Sequence, residues 1–181
     1  PTDEQVPLEG LQALVDRNTS PSCRVLAAVH YKGTGRKAAS TTLVVRNDRT
    51  AVPEALAAVR AHLERHGVGE EDASQLELVL DELLTNQINY GFRDGMAHEI
   101  LVDLRVESDR LSVEIRDDGV PFDPLSVGRP DLDAGLDERQ LGGLGMHFVR
   151  TLVDDVSYRR TSGWNVVALG KRLATEREQS S

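Results

Sequence analysis

Three polar side chains fall on one line in the stretch Leu80-Asp-Glu-Leu-Leu-Thr-Asn-Gln-Ile-Asn-Tyr-Gly91. With Glu82 at zero on a helical wheel, Asn86 lies at about 40° and Asn89 at about −20°, and Gln75 is close by. Asparagine is a poor helix former because its amide competes for backbone hydrogen bonds, so two on one stripe call for a reason. The apolar stripe lies across the wheel from them, so the helix packs with one side and offers a carboxylate and carboxamides with the other. A solvated helix face would carry the same polarity, and the helix alone does not decide their role.

Two further features point the same way. In the alternating run that ends at Asp117, Leu111, Val113 and Ile115 define the inward parity, and the next residue of that parity is the aspartate itself. An inward carboxylate needs backbone donors or a ligand donor, because burying it unpaired is costly. Asp-Gly at 118–119 is also ordinary turn chemistry, so the turn reading stays open here. The third feature, Gly142-Gly-Leu-Gly145, lets backbone N–H groups approach an anion at the start of a helix. It is neither a P-loop, since no Gly-Lys-Ser/Thr follows, nor a dinucleotide fingerprint, since no first βαβ strand precedes it.

The elements that must position these residues can be read from periodicity. A strand is expected at 41–46, and a helix from about residue 53 to Gly67 on Val52, Leu56, Val59 and Leu63. A second helix is expected over about 72–90 on Leu76, Val79, Leu80, Leu83, Leu84 and Ile88. Two alternating strands follow, one carrying Ile100, Val102, Leu104 and Val106 and the other Leu111, Val113 and Ile115. Residues 121–141 hold three prolines and four aspartates with no period, which reads as a functional loop. A helix from Met146 to about Val153 and strands at 156–160 and 164–169 complete the order β-α-α-β-β-loop-α-β-β. This is an α+β sandwich, a mixed, mostly antiparallel sheet with about three helices on one face. Residues 1–40 read as an extension with a short strand at 23–31 and a loop at 32–40, and 174–181 as a polar tail.

Composition narrows the function classes. The 181 residues suffice for one domain with a sizeable core, and 39% hydrophobic with 28% charged residues fits a soluble globular chain. No apolar run nears the roughly 20 residues a membrane helix needs. A formal net charge of −9 argues against binding nucleic acid or an anionic membrane without sequence preference. The single Cys23 allows no internal disulfide, and PTDEQVPLEG has neither a basic nor an apolar leader region, so a cytoplasmic location is expected.

Taken together and in this order, these motifs resemble the GHKL, or Bergerat-fold, ATP-binding domains, and within them the small serine kinases that act as anti-sigma factors in partner-switching systems. Glu82-Leu-Leu-Thr-Asn86 with Tyr90-Gly91 is similar to the N box, and Asp117-Asp-Gly-Val-Pro-Phe-Asp-Pro124 to the first glycine box. Gly142-Gly-Leu-Gly-Met146 is similar to the second. Asp154 to Tyr158, Gly163-Trp-Asn165 and Leu169-Gly-Lys171 resemble the C-terminal strand pair, so the likeness covers about 41–173. It implies that Asn86 ligates Mg²⁺ on ATP, that Asp117 accepts from the adenine amino group, and that Gly119 lets the backbone pass the base. Gly142, Gly143, Leu144 and Gly145 would cradle the phosphates, with 121–141 as the ATP lid and Arg139 reaching the γ-phosphate. Glu82 stands where histidine kinases have an asparagine, and a carboxylate there suits a hydroxyl or water nucleophile. The gyrase and MutL ATPases of the superfamily carry transducer domains after this fold, where little chain follows here. The expectation is therefore a cytosolic, homodimeric Mg·ATP-dependent protein-serine kinase. It would phosphorylate a STAS-domain anti-anti-sigma protein and sequester a sigma factor or similar target. The rivals are an ATP-binding sequestration module without kinase activity and a detached histidine-kinase catalytic domain.

Overall fold

The computed structural model describes residues 22–33, 36–126 and 143–174. The elements run β1 (Cys23–Gly33), β2 (Arg36–Arg46), α1 (Ala51–Arg65), α2 (Glu70–Tyr90), β3 (Glu99–Val106), β4 (Arg110–Asp117), α3 (Gly143–Leu152), β5 (Asp155–Thr161) and β6 (Trp164–Arg172), with one 3-10 turn at Pro124–Ser126. The six strands form one sheet in the order β1-β2-β3-β4-β6-β5, and all five pairings are antiparallel. The expected α+β architecture is present, without a parallel pairing among the described strands.

Alternation decides which face of the sheet is covered. Cross-strand rows such as Val45↔Ile100, Leu43↔Val102↔Ile115↔Val167 and Leu104↔Val113↔Leu169 point inward together. They pack against Ala51, Val52, Ala55, Val59 and Leu63 of α1, the apolar stripe of α2, and Met146 and Val149 of α3, forming one core. The opposite face carries charges that pair across strands, as in Arg116 with Asp103 at 2.6 Å and Arg159 with Glu114 at 2.8 Å. One wet and one dry face is what an antiparallel sheet with helices on one side requires.

α1 starts before Pro53 because proline is tolerated in the first helical turn, where its missing N–H has no partner to lose. α2 starts at Glu70, two residues earlier than its apolar period suggests. Glu70, Glu71 and Asp72 in its first turn sit favourably against the helix dipole. Arg60 of α1 holds Glu77 of α2 through Nε and Nη2, both at 2.7 Å, a fork geometry that fixes the two helices relative to each other. Asp72, buried, accepts from the Ala174 backbone at 3.0 Å and pairs with Lys171 at 3.2 Å, which ties the start of α2 to the end of β6.

One expectation is corrected. Residues 32–40, read as loop, lie largely in strands, since β1 and β2 form a hairpin in which Gly33 pairs with Arg36. The ladder is made of backbone bonds and the stretch is small and polar, so no apolar period announces it. Among the described residues no helix is long and apolar enough to cross a membrane.

Candidate functional site

α2 carries the first half of the site. Its apolar stripe faces the sheet, which leaves Glu82 and Asn86, one turn apart, half-buried on the flank toward α3. Asn86 Nδ2 donates to Glu82 Oε1 at 2.6 Å. A carboxylate only accepts, so the amide nitrogen must face it and the amide oxygen is left for another partner. The Glu82 carboxyl group lies directly over Gly145: a Cβ added there would sit 2.0 Å from the carboxyl carbon. No residue but glycine leaves the carboxylate that place.

Gly143, Leu144 and Gly145 are the first three residues of α3. The first N–H groups of a helix lack intrahelical partners and carry the positive end of its dipole, so the glycine turn offers donors to an anion beside Glu82 and Asn86. Gly142, Arg139 and the lid segment 127–141 lie outside the described residues. The described start of the lid, 121–126, is anchored: Leu125 N donates to Asp123 Oδ1 at 2.8 Å, Arg150 of α3 donates to the Leu125 carbonyl, and Phe122 packs on Tyr90 at 5.5 Å.

The second half sits at the C-terminal end of α2. Asp117 is 1% exposed, as the strand alternation requires, and faces its direct cross-strand partner Asn165. Its Oδ1 accepts from Gly119 N at 2.9 Å and from Asn165 Nδ2 at 2.8 Å, while among the described residues no group bonds Oδ2. Burial pushes this carboxyl above its usual range, partly offset by the Asn165 and Gly119 hydrogen bonds, with Asp118 raising it further and Arg160 lowering it. Gly119 is packed against the end of α2: a Cβ there would meet the Gly91 carbonyl oxygen at 2.4 Å, and Val120 N donates to that same oxygen at 2.7 Å. The turn and the helix are thus joined backbone to backbone.

Both halves therefore lie along one helix, with Glu82 nine residues before Gly91, a rise of about 14 Å. That is comparable to an extended nucleoside triphosphate, with the buried acceptor at one end and the glycine turn at the other. The acceptors fit such a ligand: among the described residues no group bonds Asp117 Oδ2 or the Asn86 amide oxygen, and the glycines at 119 and 145 let the backbone lie against Gly91 and Glu82. Asn89 is exposed and lies at the edge of a separate hollow of about 740 Å³ lined by Arg46, Arg49, Phe92 and Met96, away from this line.

Sequence reasoning gave no role to Asn165 or Arg160. Asn165 fastens Asp117 and the Val120 carbonyl (2.9 Å), and its Oδ1 accepts from Tyr158 Oη at 2.9 Å and Arg160 Nη1 at 2.7 Å. The signal was available in part, since Val167 and Leu169 set an inward parity on β6 that Asn165 shares.

Comparison with known proteins shows the family and the fold. The histidine kinase-like ATPase domain family matches residues 45–171. Serine/threonine-protein kinase BtrW of Bordetella bronchiseptica is 35% identical over 56% of this chain and 71% of its own length. Serine-protein kinase RsbW of Bacillus velezensis is 32% identical over 70% of this chain and 84% of its own. The solved RsbU and RsbW domains of a Mycobacterium tuberculosis protein share the fold, with a TM-score of 0.52 at 14% identity. That likeness covers 73% of this chain and about a third of the solved one, 33%.

Proposed function

The chain belongs to the histidine kinase-like ATPase domain family, in its serine-kinase branch, and on that footing we propose that it transfers the γ-phosphoryl group of ATP to a serine of a small STAS-domain protein. The observation that carries the reading is the contact of Glu82 with Asn86 on one side and Gly145 on the other. In this reading Glu82 is the proton acceptor beside a glycine turn whose N–H groups would hold the phosphates.

In this reading Asp117 Oδ2 accepts from the adenine amino group, Gly119 leaves room for the base, and Gly142, Gly143, Leu144 and Gly145 hold the phosphates. Arg139 in the lid contacts the γ-phosphate. Asn86 is the residue that would hold Mg²⁺ through its amide oxygen, and the ion when bound neutralises charge on the transferring group. Glu82 takes the proton of the attacking serine hydroxyl. The unphosphorylated STAS protein and a sigma factor or similar target would then compete for this chain, acting as a cytoplasmic homodimer, and phosphorylation would decide which is bound. The nucleotide-binding unit spans 41–173, with β1 as an added edge strand.

The test is transfer of label from γ-labelled ATP to candidate STAS-domain proteins. Glu82→Gln is expected to keep ATP binding and to slow transfer by about 100- to 10,000-fold. Wild-type protein that binds ATP yet labels no serine of any STAS partner would remove the kinase reading and leave sequestration alone.

A further inference from the structure

The Asp117–Gly119 turn is clamped on its inner side by Asn165. A second clamp grips it from outside, from a part of the chain to which no nucleotide role is assigned. His98, the last residue before β3, has Nδ1 at 2.8 Å from Asp118 Oδ1 and Nε2 at 2.9 and 3.1 Å from the two oxygens of Asp94. Carboxylate oxygens only accept, so both ring nitrogens must donate, and only an imidazolium has two N–H groups. The ring is half-sheltered, stacked on Phe92 at 4.8 Å and 28°. Its backbone is equally fixed: His98 N donates to Asn47 Oδ1 at 2.9 Å, and Asn47 N donates to the His98 carbonyl at 3.1 Å.

We propose that His98 is a positioning residue for the nucleotide: as a cation between Asp94 and Asp118 it holds the Asp117–Gly119 turn in register with the end of α2, so that nucleotide affinity falls as this cation is lost with rising pH. The proposal rests on the reading of Asp117 as the adenine acceptor. The two carboxylates raise the affinity of His98 for its proton above that of an ordinary histidine, the Asp94 hydrogen bond contributing most. The other charged groups facing this spot do not replace the clamp. Arg24, Arg46 and Glu99 line the adjoining hollow with His98, and Arg24 is spent on Glu99 at 2.5 Å. Arg160 lies on the far side of the turn, on the Gly119 carbonyl at 3.1 Å, and Asp117 adds like charge beside Asp118.

When His98 loses its proton, one of its two carboxylates must let go. Asp94 is the local partner, four residues away and held in place by Met96 N at 2.9 Å. Asp118 is twenty residues away and makes no other hydrogen bond among the described residues. The contact given up is therefore the one to Asp118, because holding the distant carboxylate costs more conformational freedom. The sign follows: the clamp is complete below the pH at which folded His98 titrates and lost above it.

The experiment is the Kd of ADP for the full chain between pH 6.5 and 9, for wild type, His98→Gln and Asp118→Asn. Wild-type affinity should drop by about 3- to 10-fold across the interval, the scale of one partly exposed charged hydrogen bond. Both variants should follow a flat line at the wild type's alkaline level once ligand titration is cancelled by taking the difference between curves. Reciprocity requires ADP to raise the His98 titration point in wild type by the same factor, read from the imidazole proton shifts, which needs no variant to fold. A wild type that binds ADP with a flat profile, or an imidazole unmoved by ADP, overturns the clamp and leaves the nucleotide site intact. A wild type that binds no adenine nucleotide at any pH overturns both.

Discussion

Asp117→Asn separates what this residue does for folding from what it does for the ligand. In the wild type Oδ1 takes two hydrogen bonds, from Gly119 N at 2.9 Å and Asn165 Nδ2 at 2.8 Å. Asparagine can keep its own oxygen in that place, so neither bond is lost. The difference falls on the second atom, where, if Asp117 is the adenine acceptor as proposed, an acceptor becomes an N–H donor facing the adenine amino group, itself a donor. Losing a charge-assisted hydrogen bond and leaving donor against donor costs about 2–3 kcal/mol, or roughly 30- to 150-fold in the Kd for ATP. Folding moves the other way. Burial is the largest influence on this carboxyl and raises its titration point above the ordinary 3.8. The native state then holds this proton more tightly than the unfolded chain, so the contribution of Asp117 to stability is greatest at acid pH and is lost as pH climbs through the folded value. At neutral pH the buried charge is a cost, and removing it should leave the protein within about 1 kcal/mol of wild type or slightly more stable. Calorimetric titration with ATP and urea unfolding at pH 7 measure the two quantities. Wild-type affinity in the variant would refute Asp117 as the adenine acceptor. A loss of stability above about 3 kcal/mol, the scale of a severely damaging substitution, would refute the division of labour between its two oxygens.

The two glycines that crowd the site should respond in opposite ways. Gly119→Ala drives a methyl group to 2.4 Å from the Gly91 carbonyl oxygen, a backbone atom that cannot step aside, so urea unfolding should show a loss of about 1–3 kcal/mol. Gly145→Ala meets the Glu82 carboxyl group first, the end of a flexible side chain, in a helix, an element that favours alanine over glycine by about 1 kcal/mol. Its melting temperature should hold or rise while phosphoryl transfer falls by about 100-fold or more, because Glu82 is pushed from its place. A Gly145→Ala protein with undiminished transfer would mean that the contact with Gly145 is irrelevant to catalysis.

The local, periodic part of this protein was legible in its sequence. Leu76 to Ile88 mark the buried side of α2 and so which flank is left for Glu82 and Asn86. The alternation of Leu111, Val113 and Ile115 turns Asp117 inward, because side chains in a strand change face at every residue. Those two periods were enough to reach the α+β sandwich, while the family came from the resemblance of the motifs at Glu82–Asn86, Asp117–Pro124 and Gly142–Met146. Tertiary structure decided what lies opposite each of those faces. That Asn165 is the partner of Asp117 depends on β6 pairing with β4 across 48 residues of chain. The closure of Gly145 on Glu82 requires α3 to dock beside α2, and the grip of His98 on Asp118 joins two loops twenty residues apart. The 32–40 part of the β1–β2 hairpin went unread for a related reason: its ladder bonds are made by the backbone, which every residue carries alike. Periodicity reports which face of an element is buried, whereas the identity of the neighbour comes from packing between segments distant in the chain.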